Sequence, residues 1–371
     1  MIVAHLSDLH LGHRTFDRAE RGQNLRERDL AVAFQRAVGS IVEARPDLVV
    51  IAGDVFDRSN PPPGALVALA RGLDELRGSL PESRVLMVAG ARDTPRRTED
   101  AGALAALDTF PNVDAAAGRA RAVVLPSHRA HVILLPYRSA ITRPLPAPEP
   151  DPRQRWNIVV GYGRATEVEA TREVTLRAGG GGDRTTDGIP IEWKRWDYVA
   201  LGGQHTYRRV ADRVVYSGAV ERVGVSPWDE AAEEKGYVLA DLEAGDVTFV
   251  PVPGRPVVAL APTHVPIGDP DGLQARLEEV VREVPGGIED KIVRIRLQGT
   301  RPADLRGLDP AFLASLVDRA LHFSIELTGT SVPEMDRTPL IDRVVASLDA
   351  PDDRVVSLLR RVVGSGVGGT A

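Results

Sequence analysis

Four short segments carry the side chains that can do chemistry. Asp8 and His10 are separated by one residue, and Gly53 and Asp54 are followed by Asp57 and Arg58. Gly90, Ala91, Arg92 and Asp93 are consecutive, and Gly202, Gly203 and Gln204 lead to His205. Each segment follows an apolar, strand-like run, which is where an α/β sheet places its chemistry. Carboxylate oxygens and imidazole nitrogens suit divalent cations. Two such cations about 3.5–4 Å apart can clamp a phosphate and share an activated water. A structural alternative stands beside this one. Asp favours turns after strands, which would account for Asp8 and Asp54, and Asp57 with Arg58 can be an ion pair that braces its loop.

The elements that must position these residues are legible from periodicity. Ile2 to Ser7 reads as a strand. A helix follows in the Asn24–Glu43 region, with apolar Leu30, Val32, Phe34, Val38, Ile41 and Val42. Asp47 to Ala52 is a buried strand, Ala65 to Leu80 a helix after the Pro61–Pro63 break, and Arg84 to Ala89 a third strand. These βαβ units predict a largely parallel sheet. After Asn112 short strands take over, at Ala122–Leu125, His131–Pro136, Asn157–Val160, Tyr198–Leu201 and Arg213–Ser217. Pro144 to Pro152 is a surface loop. Gly179–Gly182 is a flexible loop that lacks the Lys-Ser/Thr of a phosphate-binding P-loop. Gly236–Asp241 and Val247–Val252 predict a closing hairpin.

A boundary falls near Pro253–Pro256. Beyond it a strand-helix-strand-helix-strand pattern predicts a compact α/β module of roughly 80 residues. A tail follows with helix-like stretches at Asp342–Leu348 and Asp353–Val363. The predicted domains are residues 1–253, 254–335 and a helical tail, 336–371.

Composition narrows the class. The chain has 371 residues, 43% hydrophobic and 26% charged, and a formal net charge of −6. That is ordinary for a globular protein and gives no global attraction to nucleic acid, so a nucleic-acid surface must be a local patch. No apolar run reaches about 18 residues, so no membrane span is expected. The N-terminus reads as a first strand, not a signal peptide. The lack of cysteine excludes disulfide and thiolate chemistry and fits a cytoplasmic protein. Basic residues are nearly all Arg, with Lys only at 194, 235 and 291.

In order and spacing the four segments resemble the calcineurin-like metallophosphoesterases, whose motifs read D-x-H, G-D-x-x-D-R, G-N-H-D/E, a lone His after a strand, and G-H-x-H. The resemblance implies an α/β fold, an α/β/β/α sandwich with a smaller α/β capping domain. It also implies a first metal held by Asp8, His10, Asp54 and His205, all present here. The second metal would share Asp54 and take three further ligands, whose positions hold Ala91, Tyr162 and Gly203. None of these is a normal ligand for that ion. The catalytic His of G-N-H-D is replaced by Arg92. Arginine stays charged and is no useful proton donor near neutral pH, but it offers a fixed cation to a phosphate and is expected to help neutralise Asp54. The losses fall on one half of the site. The expectation is one divalent ion, manganese, or none.

The resemblance narrows to the SbcD-type nuclease subunits of DNA double-strand-break repair. It rests on Ser7–Phe34, on Gly53–Leu66 with its prolines, and on Tyr216-Ser217-Gly218, Glu221-Arg222 and Glu234-Lys235-Gly236-Tyr237. This last set argues against an unrelated phosphatase. The resemblance implies DNA as a partner, an SbcC-type SMC-like ATPase bound in part through C-terminal helices such as Asp353–Val363, and a homodimer formed through the first two helices. His13, Arg14, Arg58, Arg92, Arg164, Arg208 and Arg209 lie on loops just past strands and predict a local basic rim for DNA phosphates. Two readings follow: an exonuclease-family subunit that binds DNA ends with lost or weakened two-metal nuclease activity, a pseudo-nuclease, or a working one-metal phosphodiesterase.

Overall fold

The computed structural model describes residues 1–328 apart from residues 17, 98–99, 101, 169–172, 179–187, 225, 265–269, 301 and 306. The predicted tail, 336–371, and the four-glycine loop lie outside the described residues.

Two compact units emerge. The first comprises Met1–Leu260, Val284–Arg294 and Ala314–Ser324. Its centre is a six-stranded sheet in the spatial order Asp246–Pro251, Gly236–Asp241, Ile2–Leu6, Leu48–Ala52, Arg84–Val88, Val113–Ala116. The last four strands run parallel, and the Gly236–Asp241 hairpin strand joins antiparallel to Ile2–Leu6. A second six-stranded sheet has the order Arg208–Ala211, Val214–Tyr216, Tyr198–Gly202, Trp156–Tyr162, Ala130–Leu135, Arg121–Leu125. Its four inner strands are parallel.

Period-two alternation sets the layers. Ala4, Leu6, Val49, Ile51, Val85 and Met87 point to the helices Leu25–Ala44 and Pro63–Ser79. Val3, Leu48, Val50, Ala52, Leu86 and Val88 point the other way and pack on Val132, Leu134, Ile158, Val160 and Ala200 of the second sheet. Each fully buried aliphatic side chain contributes about 1.5–3 kcal/mol, so this core between the sheets holds the site strands rigidly. The outer face of the second sheet carries the short helix Tyr137–Ile141 and a three-stranded antiparallel sheet, Arg164–Val168, Glu173–Arg177 and Ile189–Ile191. The expected four-layer order is present, with a small sheet as the main part of the fourth layer.

The first helix begins where its cap does. Asn24 Oδ1 accepts from the backbone of Arg26 and Glu27, satisfying two of the otherwise unpaired first-turn N–H groups. The second starts with Pro63, which has no N–H to waste.

The second unit comprises Ala261–Glu283, Ile295–Leu313 and Ile325 onward. It holds the helix Pro270–Arg282, on which Leu273 and Leu277 are buried, and a parallel pairing of Thr263 with Leu297. The chain passes between the units several times.

Candidate metal centre

The site forms where the parallel strands of both sheets end. Asp8 and His10 follow Ile2–Leu6, and Asp54 follows Leu48–Ala52. The two loops are zipped together: Asp8 N–H donates to Gly53 O, His10 N–H to Asp54 O and Leu11 N–H to Val55 O, at 2.9–3.0 Å. This pairing holds Asp8, His10 and Asp54 at positive φ of 52°, 44° and 48°. Such backbone costs about 1–3 kcal/mol per residue and persists only where its surroundings enforce it. His205 comes from the loop after Tyr198–Gly202.

Asp8, His10 and His205 place one ligand atom each within 4.8 Å of one another. Asp54 adjoins them, its Oδ2 3.7 Å from His10 Nε2. The His10 and His205 rings meet edge to face, with centroids 5.2 Å apart. His10 Nε2 is buried with no hydrogen-bond partner. Two imidazoles, one with an orphaned nitrogen, and a buried carboxylate suit a divalent cation, so the donor set fits the ion the sequence implies.

The surroundings aim the ligands. His10 Nδ1 is 3.1 Å from Asp57 Oδ1, which also takes His13 Nδ1 at 3.1 Å. Burial works against the Asp57 charge, but these two histidines hold its carboxyl well below the usual range. The expected Asp57–Arg58 ion pair is replaced by this contact, and Arg58 is exposed. Ser7 Oγ donates to Asp8 Oδ2 at 2.5 Å, and Gly203 N–H reaches both Asp8 oxygens at 3.1 Å. Burial pushes the Asp8 and Asp54 carboxyls upward, partly offset by His205 and His10 respectively. Asp93 accepts from the backbone of Val55, Phe56 and Gly90 and so ties the 90–93 loop to the Asp54 loop. Its burial beside Asp54 lifts it to about 7.

The positions matched to the second metal are occupied differently. Tyr162 ends the Trp156–Tyr162 strand, and its hydroxyl donates to Asp54 Oδ2 at 2.7 Å. Burial and the Asp54 and Asp8 charges push its phenol far above its usual value, so it remains a donor. Its ring lies where a Cβ on Gly53 would stand, 2.3 Å from Tyr162 Cδ2, and 3.2 Å from a Cβ on Gly203. Ala91 is half-buried against the same cluster. Arg92 touches Asp54 Oδ1 through its backbone N–H at 2.7 Å. The expected neutralisation by its guanidinium gives way to this backbone bond: the Arg92 residue is exposed, and the imidazole of His10 lies 3.7 Å from Asp54 Oδ2.

Among the predicted DNA contacts, Arg58, Arg164 and Arg208 are exposed, four, two and three residues beyond Asp54, Tyr162 and His205. Arg14 is instead paired to Glu27 at 2.7 Å, and Arg209 donates to Asp212 O. His13 is turned to Asp57. Spacing missed Glu230, which meets His205 Nδ1 at 3.0 Å, and Lys235 behind it. The signal was the Glu-Lys-Gly-Tyr segment, whose lysine is one of few in the chain and is buried.

Comparison with known proteins gives a family and several relatives. The family model for calcineurin-like phosphoesterase matches residues 1–207. Proteins named DNA double-strand break repair protein Mre11 are similar over shorter stretches. That of Methanocaldococcus jannaschii is 30% identical over 113 residues, 30% of this chain and 29% of that protein. That of Methanopyrus kandleri is 35% identical over 99 residues, 26% of this chain and 20% of that protein, and that of Archaeoglobus fulgidus 43% over 63 residues, 17% and 13%. The matched stretch spans less than a third of each relative's length. With its family match covering more than half of the chain, this protein belongs to the calcineurin-like phosphoesterase family.

Proposed function

We propose that this chain is a DNA-end-binding subunit of the Mre11/SbcD type whose two-metal nuclease activity is lost or strongly weakened. One observation carries the reading: at the position where the family resemblance calls for a second-metal ligand, Tyr162 donates its hydroxyl to Asp54 Oδ2. Asp8, His10, Asp54 and His205 would hold one divalent ion, manganese by our reading. Such an ion polarises a phosphoryl oxygen and acidifies water. The chain's own residues aim its ligands, through Asp57, Ser7 and Glu230, and supply exposed cations at Arg58, Arg164 and Arg208 for the phosphate backbone. An SMC-like ATPase partner and a homodimer belong to the same proposal. Val32, Leu66 and Val67, exposed on the two long helices, support self-association. Among the described residues no helix is long and apolar enough to cross a membrane.

A working one-metal phosphodiesterase is the second reading, favoured by the orphaned His10 Nε2 within a complete first ligand set. A manganese-supplemented assay on end-labelled single- and double-stranded DNA separates them, with Asp54→Asn as control. DNA binding without cleavage supports the first. Cleavage that disappears in the control establishes the second.

A further inference from the structure

His205 is the most exposed of the clustered ligands, its side chain 29% accessible against 4% for His10. It sits on a loop, where a ring can rotate about two torsions. Three contacts oppose that. Glu230, buried, places Oε1 3.0 Å from His205 Nδ1. Lys235 is 3% exposed, with Nζ 2.7 Å from Glu230 Oε2. The same ammonium donates to the His205 backbone carbonyl at 2.8 Å and to Glu233 Oε2 at 3.2 Å. Glu230 is thus gripped from both sides, by the His205 ring and by the Lys235 ammonium. A buried Lys–Glu pair is expensive to desolvate and adds little to stability, which leaves orientation as its use.

We infer that Glu230, fixed by Lys235, is the positioning residue for His205: it holds Nδ1 protonated and presents Nε2 to Asp8 and His10. The inference rests on the one-metal reading for its consequence, because a carboxylate behind a ligating imidazole fixes the tautomer and raises its basicity. Glu230 lies beyond residues 1–207, the part that matches the family model. Sequence spacing could not show it, because 25 residues separate the partners.

The test compares Glu230→Gln with Glu233→Gln. Glu233 shares Lys235 and bonds Thr206 Oγ1 but does not touch the His205 ring. Manganese affinity, read by paramagnetic resonance of free ion, is expected to fall about 10–100-fold in Glu230→Gln and to stay unchanged in Glu233→Gln. Should Glu230→Gln unfold, Glu230→Gln with Lys235→Met removes both charges of the buried pair and carries the same expectation. Equal affinity in wild type and Glu230→Gln, or an equal loss in both single variants, overturns the inference. A second readout needs no metal. Long-range nitrogen-15 NMR of the histidines in chelator, at alkaline pH, should show His205 as the Nδ1–H tautomer in wild type and mixed in Glu230→Gln. A wild type that binds no manganese but keeps this tautomer difference refutes the metal reading and leaves the brace intact. A His205 already mixed in wild type refutes the brace.

Discussion

The Tyr162 hydroxyl donates to Asp54 Oδ2 at 2.7 Å; Tyr162 ends a strand of one sheet and Asp54 follows a strand of the other. One hydrogen bond therefore joins the sheets at the site and occupies Asp54 Oδ2, the oxygen 3.7 Å from His10 Nε2. Removing it in Tyr162→Phe leaves a buried carboxylate oxygen unpaired, at a cost of about 1–3 kcal/mol. The expected result is a lower melting midpoint in chelator, with the deficit shrinking in saturating manganese as the ion takes over the bond to Asp54. A deficit that is the same with and without metal would mean that Asp54 is not a ligand.

The same contact governs metal count. Titration monitored by calorimetry should give one manganese per chain. Gly203→His alone should lose stability, because φ there is 103° and its Cβ would stand 3.2 Å from the Tyr162 ring, a strain of about 1–3 kcal/mol. Joined to Tyr162→His and Ala91→Asn, which remove the ring and add ligands, the change should yield a second bound ion. Two ions in the wild type, or one in the triple variant, count against the half-site.

How far the site could be read ahead of the structure depended on which contacts follow from chain order. Asp8, His10, Asp54 and His205 lie at strand ends, and parallel βαβ topology alone brings strand ends together. Tyr162 was placed by matching its segment to the family's strand that ends in a lone His, and it ends the strand paired with Tyr198–Gly202. What its hydroxyl does was not legible, because a hydrogen bond between sheets depends on rotamer and sheet separation. Arg92 shows the opposite limit. Its residue type suggested charge neutralisation, whereas the bond it makes is a backbone one that any residue but proline could make. The helices were read to within two residues at their ends, since Asn24 and Pro63 mark the starts. The small sheet at Arg164–Val168, Glu173–Arg177 and Ile189–Ile191 escaped notice because its strands are short and carry charged residues and a proline.

Protons compete with the metal. Asp8 and Asp54 are raised, chiefly by burial, and Asp93 stands at about 7. A carboxyl raised on folding stabilises the fold below its unfolded value, about 4, and that contribution is lost as pH climbs through the folded value. Manganese needs Asp8 and Asp54 deprotonated and should release protons on binding. The midpoint difference between manganese and chelator should therefore widen from about pH 5 to about pH 8. His5, held at about 3 by burial, acts on the metal-free protein in the opposite sense but cancels in that difference. A flat or narrowing difference, or no proton uptake by buffers of unlike ionisation heat, would contradict the assignment.

Close approach of the two sheets has its own requirement. A Cβ on Gly202 would lie 1.8 Å from Ala52 O and 2.9 Å from Ser7 Cβ. Gly202→Ala must push the second sheet away from the strand that leads to Asp54, and overpacking of this kind costs about 1–3 kcal/mol. Manganese affinity should fall with it, because Gly203 N–H, bonded to Asp8, moves too. Gly118→Ala, where a Cβ meets nothing within 4 Å, serves as the control. Urea denaturation showing equal stability for both variants would remove the argument that sheet spacing sets the site.

DNA binding, if the reading is right, is local electrostatics on an acidic protein. The net charge of −6 opposes association at long range, so attraction must come from cations free to reach phosphate. Arg58, Arg164 and Arg208 are exposed, whereas Arg14 is engaged by Glu27. Anisotropy titrations of a labelled duplex across a salt series should give a linear fall of log affinity with log salt. Each of Arg58→Ala, Arg164→Ala and Arg208→Ala should lower the magnitude of that slope by about 1. Arg14→Ala should change it less, since its charge is already met by a carboxylate. A flat plot for the wild type excludes phosphate-driven binding. A slope that survives loss of all three exposed arginines moves the DNA surface elsewhere on the molecule.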